Sequence, residues 1–214
     1  MKKLLLSAAF AVCSVIAVNA QEVKFGVKAG PQIANLNGDV LYDGLDKSSK
    51  FGFHAGVYAN IKFGGDQFAF QPELLFSTQG AKIDGKFSET LIGETINYDA
   101  DIKYNLTYLN VPLMVKWYAY EGFNVEFGPQ VGFNMSGKVK GDITTSVLGI
   151  TETVSFDDDI EDIETIDFGL NIGAGYELES GLNFGIRYGL GLTEMTKEEG
   201  PKNSVFSLSV GYAF

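Results

Sequence analysis

Histidine, cysteine and tryptophan occur once each in this 214-residue chain, and proline only five times. The lone cysteine, Cys13, has no partner for a disulfide, so stability has to come from size or from closure of the fold. A single histidine, His54, leaves almost nothing for imidazole-based catalysis or metal binding. Past the N-terminal segment there is no run of about 18 apolar residues, which excludes a helical membrane anchor. Basic charge is scarce too: 16 Lys and Arg against 27 Asp and Glu give a net charge of −11. Without a basic stripe, nucleic acid is excluded as a partner. The glycines of Gly169–Gly175 are followed by no Gly-Lys-Ser/Thr and no helical pattern, so they do not form a phosphate loop.

The N-terminus follows the tripartite pattern of a secretory signal peptide. Lys2 and Lys3 precede an apolar segment from Leu4 to Val18, and Val18-Asn19-Ala20 supplies the small residues of a cleavage site. The expected division is therefore a cleaved signal peptide over residues 1–20 and one domain over 21–214. Cys13 as a lipid-attachment cysteine is the rival reading; Val12 before it and the apolar run beyond it speak against that.

The dominant pattern is a period of two. Phe168, Leu170, Ile172, Ala174 and Tyr176 alternate with Gly169, Asn171, Gly173 and Gly175; after a short turn Leu182, Phe184, Ile186, Tyr188 and Leu190 alternate with Asn183, Gly185, Arg187 and Gly189. Such alternation specifies antiparallel strands with one apolar face. Six further segments behave alike: 23–36, 51–63, 67–80, 104–120, 123–136 and 204–214. Each is about as long as a tilted strand needs to cross a bilayer. Connections at Gly64–Asp66, Glu121-Gly122 and Glu179–Gly181 are minimal, whereas Asn37–Lys50, Ile83–Asp101, Gly137–Glu164 and Thr193–Asn203 read as long polar loops. Short turns on one rim and long loops on the other predict an all-β, eight-stranded antiparallel up-and-down transmembrane β-barrel. Pro72, Pro112 and Pro129 fall inside strands, where bulges are expected.

Period alone does not say which face is outside, and a soluble periplasmic ligand-binding barrel shares it with the faces exchanged. Three features favour lipid on the apolar side. Strand glycines such as Gly56, Gly132, Gly173 and Gly211 lie on the polar face, as a narrow bore requires. That face also carries Lys28, Lys62, Lys116 and Arg187 together with Glu73, Glu126 and Glu177, opposite charges able to pair as a structural network inside a closed tube. Aromatics including Phe63, Trp117, Tyr120 and Phe214 gather near the strand ends, as in the interfacial belts of membrane barrels.

Gly26-Val27-Lys28-Ala29-Gly30, Pro72-Glu73-Leu74-Leu75-Phe76, Leu109-Asn110-Val111-Pro112-Leu113, Gly128-Pro129-Gln130-Val131-Gly132 and the terminal Gly211-Tyr212-Ala213-Phe214 together resemble the PorT-like outer-membrane β-barrel family of bacteria. The resemblance implies an eight-stranded barrel in the cell outer membrane, without an assigned chemical activity. The final Phe214 resembles the signal read by the barrel assembly machinery.

For function, the residues point to a non-enzymatic barrel with a side-chain-filled lumen and acidic extracellular loops. Its expected roles are structural, adhesive or in support of an envelope or secretion machine. The expected surroundings are outer-membrane lipid and lipopolysaccharide, with the protein a monomer, an envelope protein as a possible partner and no cofactor. A lipid-modifying enzyme would have to use His54 as its base, and the position two residues on, which shares its face, is Gly56 rather than serine. Asp157, Asp158, Asp159, Glu161 and Asp162 form the densest acidic cluster and a weak divalent-cation candidate. An EF-hand starting at Asp157 would need glycine at Asp162 and glutamate at Phe168, and has neither.

Overall fold

The computed structural model describes residues 22–37, 45–91, 93–160, 163–194 and 201–214. The signal-peptide segment 1–20 lies outside them, as do Glu161 and Asp162. Nine strands are present among the described residues: β1 (Glu22–Asn37), β2 (Leu45–Phe63), β3 (Phe68–Leu91), β4 (Glu94–Tyr120), β5 (Phe123–Val147), β6 (Ile150–Asp159), β7 (Ile166–Glu177), β8 (Leu182–Glu194) and β9 (Lys202–Ala213). All pairings are antiparallel. Eight strands close a ring in the order β1-β2-β3-β4-β5-β7-β8-β9 and back to β1, while β6 hangs outside it on the outer part of β5. Closure leaves the ring itself without an edge, the condition for a sheet to sit in hydrocarbon.

The solvation pattern is inverted relative to a water-soluble protein. Phe25, Phe51, Trp117, Phe127 and Phe168 are all more than half exposed, whereas Gln71, Glu73, Glu126 and Arg187 are each at most 8% exposed. Alternation places the first set outside the tube and the second inside it. The short connections sit at one rim with the backbone that tight turns demand: positive φ at Gly64, Gly65 and Asp66, at Glu121 and Gly122, and at Gly181.

Three of the expected long loops are corrected. Ile83–Leu91 with Glu94–Asp101, and Gly137–Val147 with Ile150–Asp159, are strand, and Leu45–Lys50 opens β2. β3 runs to Leu91 and turns back into β4 at Glu94, and β5 runs to Val147 and pairs with β6 through the Leu148-Gly149 turn. On β3, β4, β5 and β6 these stretches are wholly polar on one face and mostly apolar on the other. Ile83, Phe87, Ile96, Tyr98, Ile102, Ile143, Val147, Ile150 and Val154 supply an apolar opposite face, and that alternation extends the ladder well past the ring's short strands. Asp157, Asp158 and Asp159 consequently belong to strand β6.

The prolines carry no register shift either. Pro72 pairs with Leu113, Pro112 with Gln130 and Pro129 with Leu170 in unbroken register, and the irregularities fall at Ser49/His54, Thr107/Tyr108, Tyr118/Tyr120 and Leu190/Glu194. A missing N–H removes one ladder bond, but a bulge requires an additional residue, and proline does not add one.

Candidate functional site: the filled bore

The inward residues form layers along the tube. At its middle, Arg187 on β8 is the hub: its Nη1 and Nη2 donate to Glu73 Oε2 and Oε1, both at 2.8 Å, and its Nε donates to Glu126 Oε1 at 2.7 Å. The register explains the reach. Gly173 on β7 is cross-strand neighbour to both Glu126 and Arg187, so the guanidinium spans a strand that presents no side chain there. A Cβ at Gly173 would lie 2.9 Å from Glu126 Oε1. The same device serves Lys28, which lies between Gly56 and Gly211 and donates to Glu73 Oε1 at 2.9 Å. Gln71 Nε2 adds a bond to that oxygen at 2.6 Å. Lys116 faces Glu126 directly across the β4–β5 ladder, with Nζ 3.9 Å from Oε2.

Toward the short turns the hydrogen-bond chain continues. Asn60 Nδ2 donates to Gln71 Oε1 and to Tyr118 Oη, each at 3.0 Å, and Tyr118 Oη donates to Glu177 Oε2 at 2.8 Å. Lys62 lies at this end, 3.7 Å from Glu22 and 5.2 Å above the Tyr118 ring. Lys28, Glu73, Lys116, Glu126 and Arg187 are thus brought together, Glu177 joins through Tyr118, and Lys62 pairs at the rim.

Beyond the charged layer His54, Gln32, Ser77 and Asn171 line a cavity of about 50 Å³. Gly169, Gly189 and Gly191 on β7 and β8 leave it room beside Asn171 and Arg187. Gln32 Nε2 and Gln79 Nε2 donate to Ser77 Oγ at 2.8 and 3.0 Å, so the serine opposite His54 is held by amides. Asn203 Nδ2 closes the next layer, donating to Tyr108 Oη at 3.1 Å and to Asp167 Oδ2 at 3.2 Å. Above it a small apolar cluster of Leu36, Ala81, Leu106 and Tyr108, packed by Tyr104, Ile160 and Ile163, covers the far mouth. Sequence reading missed this cap, although Tyr104, Leu106 and Tyr108 mark it by putting apolar bulk on the polar-face parity of β4.

Outside the ring's far rim, β3, β4, β5 and β6 continue as an amphipathic sheet. Its bore-side face is mostly apolar, with Phe87 and Tyr98 stacked at 4.7 Å between ring centroids, and also carries Glu89, Glu152 and Asp158. Its outward face is a polar ladder: Lys86–Asp99 at 2.9 Å, Lys140–Asp157 at 2.6 Å, Ser155 to Asp142 at 2.6 Å, and paired threonines Thr144 and Thr153 at 2.9 Å. The hydrogen bond from Lys140 holds the Asp157 carboxyl below its ordinary value. Among the described residues no group of three or more His, Cys, Asp or Glu side chains is placed to hold a metal ion.

A closed eight-stranded tube, apolar outside and ion-paired inside, defines a transmembrane β-barrel of the bacterial outer membrane. Residues 19–197 match the model of the outer membrane protein beta-barrel domain, and the chain belongs to that family. The reading as a soluble periplasmic barrel is thereby overturned: its apolar face would have to fill the interior, and here it is the exterior. Among solved structures, the chain is similar to Neisserial surface protein A, at 11% identity over 91% of this chain and 100% of that one, with a TM-score of 0.48. It is also similar to Ail, the attachment invasion locus protein of Yersinia pestis, at 16% identity over 91% and 100%, with a TM-score of 0.42. No curated protein matches it. The rule for such barrels would put the short turns on the periplasmic side and the β3–β6 sheet on the extracellular side.

Proposed function

We propose that this protein is a non-enzymatic outer-membrane barrel whose bore is a filled strut and whose working surface is the sheet it carries outside the cell. That surface would serve adhesion, envelope integrity or the support of another envelope machine. The observation that carries the reading is the contrast between the two ends: the bore is blocked by ion pairs and an apolar cap, while β3, β4, β5 and β6 extend beyond the ring with an apolar face turned toward the axis. An eight-stranded barrel has room for side chains but scarcely for solutes, which argues against a porin. His54 lies inside the wall and beneath the cap, out of reach of lipid chains on the other side, which argues against lipid-modifying catalysis.

The PorT-like assignment within the family, monomeric assembly and recognition by the barrel assembly machinery belong to the same reading. Phe214 supports the last: its ring is 73% exposed while its N–H is tied to Phe25 O at 2.8 Å. The test is a barrel in which the two outer hairpins are cut back to short turns at Lys86–Asp99 and Asp142–Ser155. It should keep the mobility shift between unheated and heated gel samples but lose attachment of expressing cells to surfaces or to each other, or the envelope resistance the full protein confers. Retention of all these by the truncated barrel would refute the reading. His54→Ala should leave lipid A composition unchanged.

A further inference from the structure

Across β3, β4 and β5 the outward face of the extracellular sheet groups like charges at one height, while on β6 Asp157 and Asp159 stand directly opposite Lys140 and Lys138. Lys82, Lys103 and Lys140 are direct cross-strand partners on β3, β4 and β5. The next outward-facing row up is Asp84, Asp101 and Asp142, again direct partners. Like charges set opposite each other across a ladder destabilise it. Placing Lys opposite Asp at each position would have avoided the cost. Relief is partly diagonal, with Asp101 3.5 Å from Lys82 and 3.3 Å from Lys103, and on the β5–β6 side direct, with Asp157 2.6 Å from Lys140 and Asp159 3.4 Å from Lys138.

The lysine row has a definite level. The row Phe76–Leu109–Phe133 is the last full lipid-facing apolar row on these strands, with the exposed Met135 at the register shift just beyond it, and Thr78–Thr107–Ser136 and then Gly80–Asn105–Lys138 follow outward. Six residues separate Phe76 from Lys82, which is about 20 Å of strand and roughly 15 Å of height at the usual tilt. Lysine stems reach several ångströms back toward the membrane. Their ammonium groups thereby reach back toward the headgroup layer of the outer leaflet, where lipid-borne phosphates form a planar sheet of negative charge.

We infer that the row Lys82, Lys103 and Lys140, with Lys138 one outward-facing row nearer the membrane, binds the phosphate groups of the outer-leaflet glycolipid, the headgroup region of lipopolysaccharide. The inference rests on the reading that the apolar face meets lipid. All four side chains are between one third and just over one half exposed, and ion pairs so exposed are weak, so phosphate oxygens can displace the aspartates. The row spans two strand spacings, about 10 Å, wide enough for more than one phosphate.

The test uses the full chain refolded in neutral-detergent micelles and titrated with purified lipopolysaccharide, with the same lipopolysaccharide after dephosphorylation, and with inorganic phosphate. A variant carrying Lys82→Ser, Lys103→Ser and Lys140→Ser should bind lipopolysaccharide on the order of a hundredfold more weakly, from roughly fivefold per lysine near an anionic surface. Dephosphorylated lipopolysaccharide should bind the unaltered protein equally weakly, inorganic phosphate should not compete, and Lys24→Ser at the periplasmic rim should bind as the unaltered protein does. Unchanged affinity in the triple variant, or full competition by inorganic phosphate, would overturn the inference. The gel mobility shift, read on the same samples, reports barrel folding separately: a variant that keeps the shift and keeps its affinity defeats the lysine row without touching the barrel.

Discussion

Arg187 is the residue on which the interior depends most. It satisfies two buried carboxylates, and removing one partner of a buried pair leaves the others uncompensated, at a cost of about 3–5 kcal/mol. Arg187→Leu should therefore lower the stability of the refolded barrel by that amount in urea, and adding Glu73→Gln and Glu126→Gln should recover much of it. Equal stability in Arg187→Leu and the unaltered protein would show that the guanidinium carries no such duty. Outside the membrane, Asp157 offers a titration. Its folded value is depressed, so the stabilisation from Lys140 is present above the ordinary 3.8 and is lost as pH falls through the lower folded value. Carboxyl NMR should place its midpoint below 3.8 and show it rising in Lys140→Gln; a midpoint that does not move would contradict the pairing. The charged and glycine residues of the bore were legible from their shared parity along the strands. Which carboxylate meets which cation was not, because it depends on cross-strand register, and Gly173 matters only once it is known to stand between Glu126 and Arg187.

Among the elements, the β5–β6 hairpin is the one whose turn chemistry opposes its shape. Leu148 and Gly149 have φ of 52° and 78°, the left-handed pair of a type I′ turn, and leucine is poorly suited to the first place. Leu148 is 75% exposed, so replacing it loses no packing. Leu148→Asn should stabilise the hairpin by about 1 kcal/mol and slow hydrogen exchange of the β6 amides about fivefold; unchanged exchange would mean that the turn does not limit hairpin opening. The ring strands were legible because one face is wholly apolar over about ten residues. The outer halves of β3, β4 and β5 were missed because their polar faces carry Lys, Asp and Thr at a density typical of loops. Yet Ile96, Tyr98, Ala100, Ile102 and Tyr104 keep the period of two without a break. Composition misled where alternation was still present.

At the scale of the whole molecule, closure is what removes the ring's edges and the need for disulfides, and filling is what separates the barrel from a channel. In planar bilayers the protein should give no stepwise conductance, since the Arg187 layer and the Leu36–Leu106–Tyr108 cap block the bore in series; a steady open level would contradict the filled interior. The central claim remains that apolar side chains meet hydrocarbon while charge is enclosed, and the chain carries its own reporter for it. Trp117, its single tryptophan, lies on the outward face of β4, 51% exposed and level with Phe68. Refolded into bilayers containing brominated acyl chains, Trp117 fluorescence should be strongly quenched by the lipid and barely affected by aqueous iodide. Quenching by iodide without quenching by bromine would place that face in water and contradict the account.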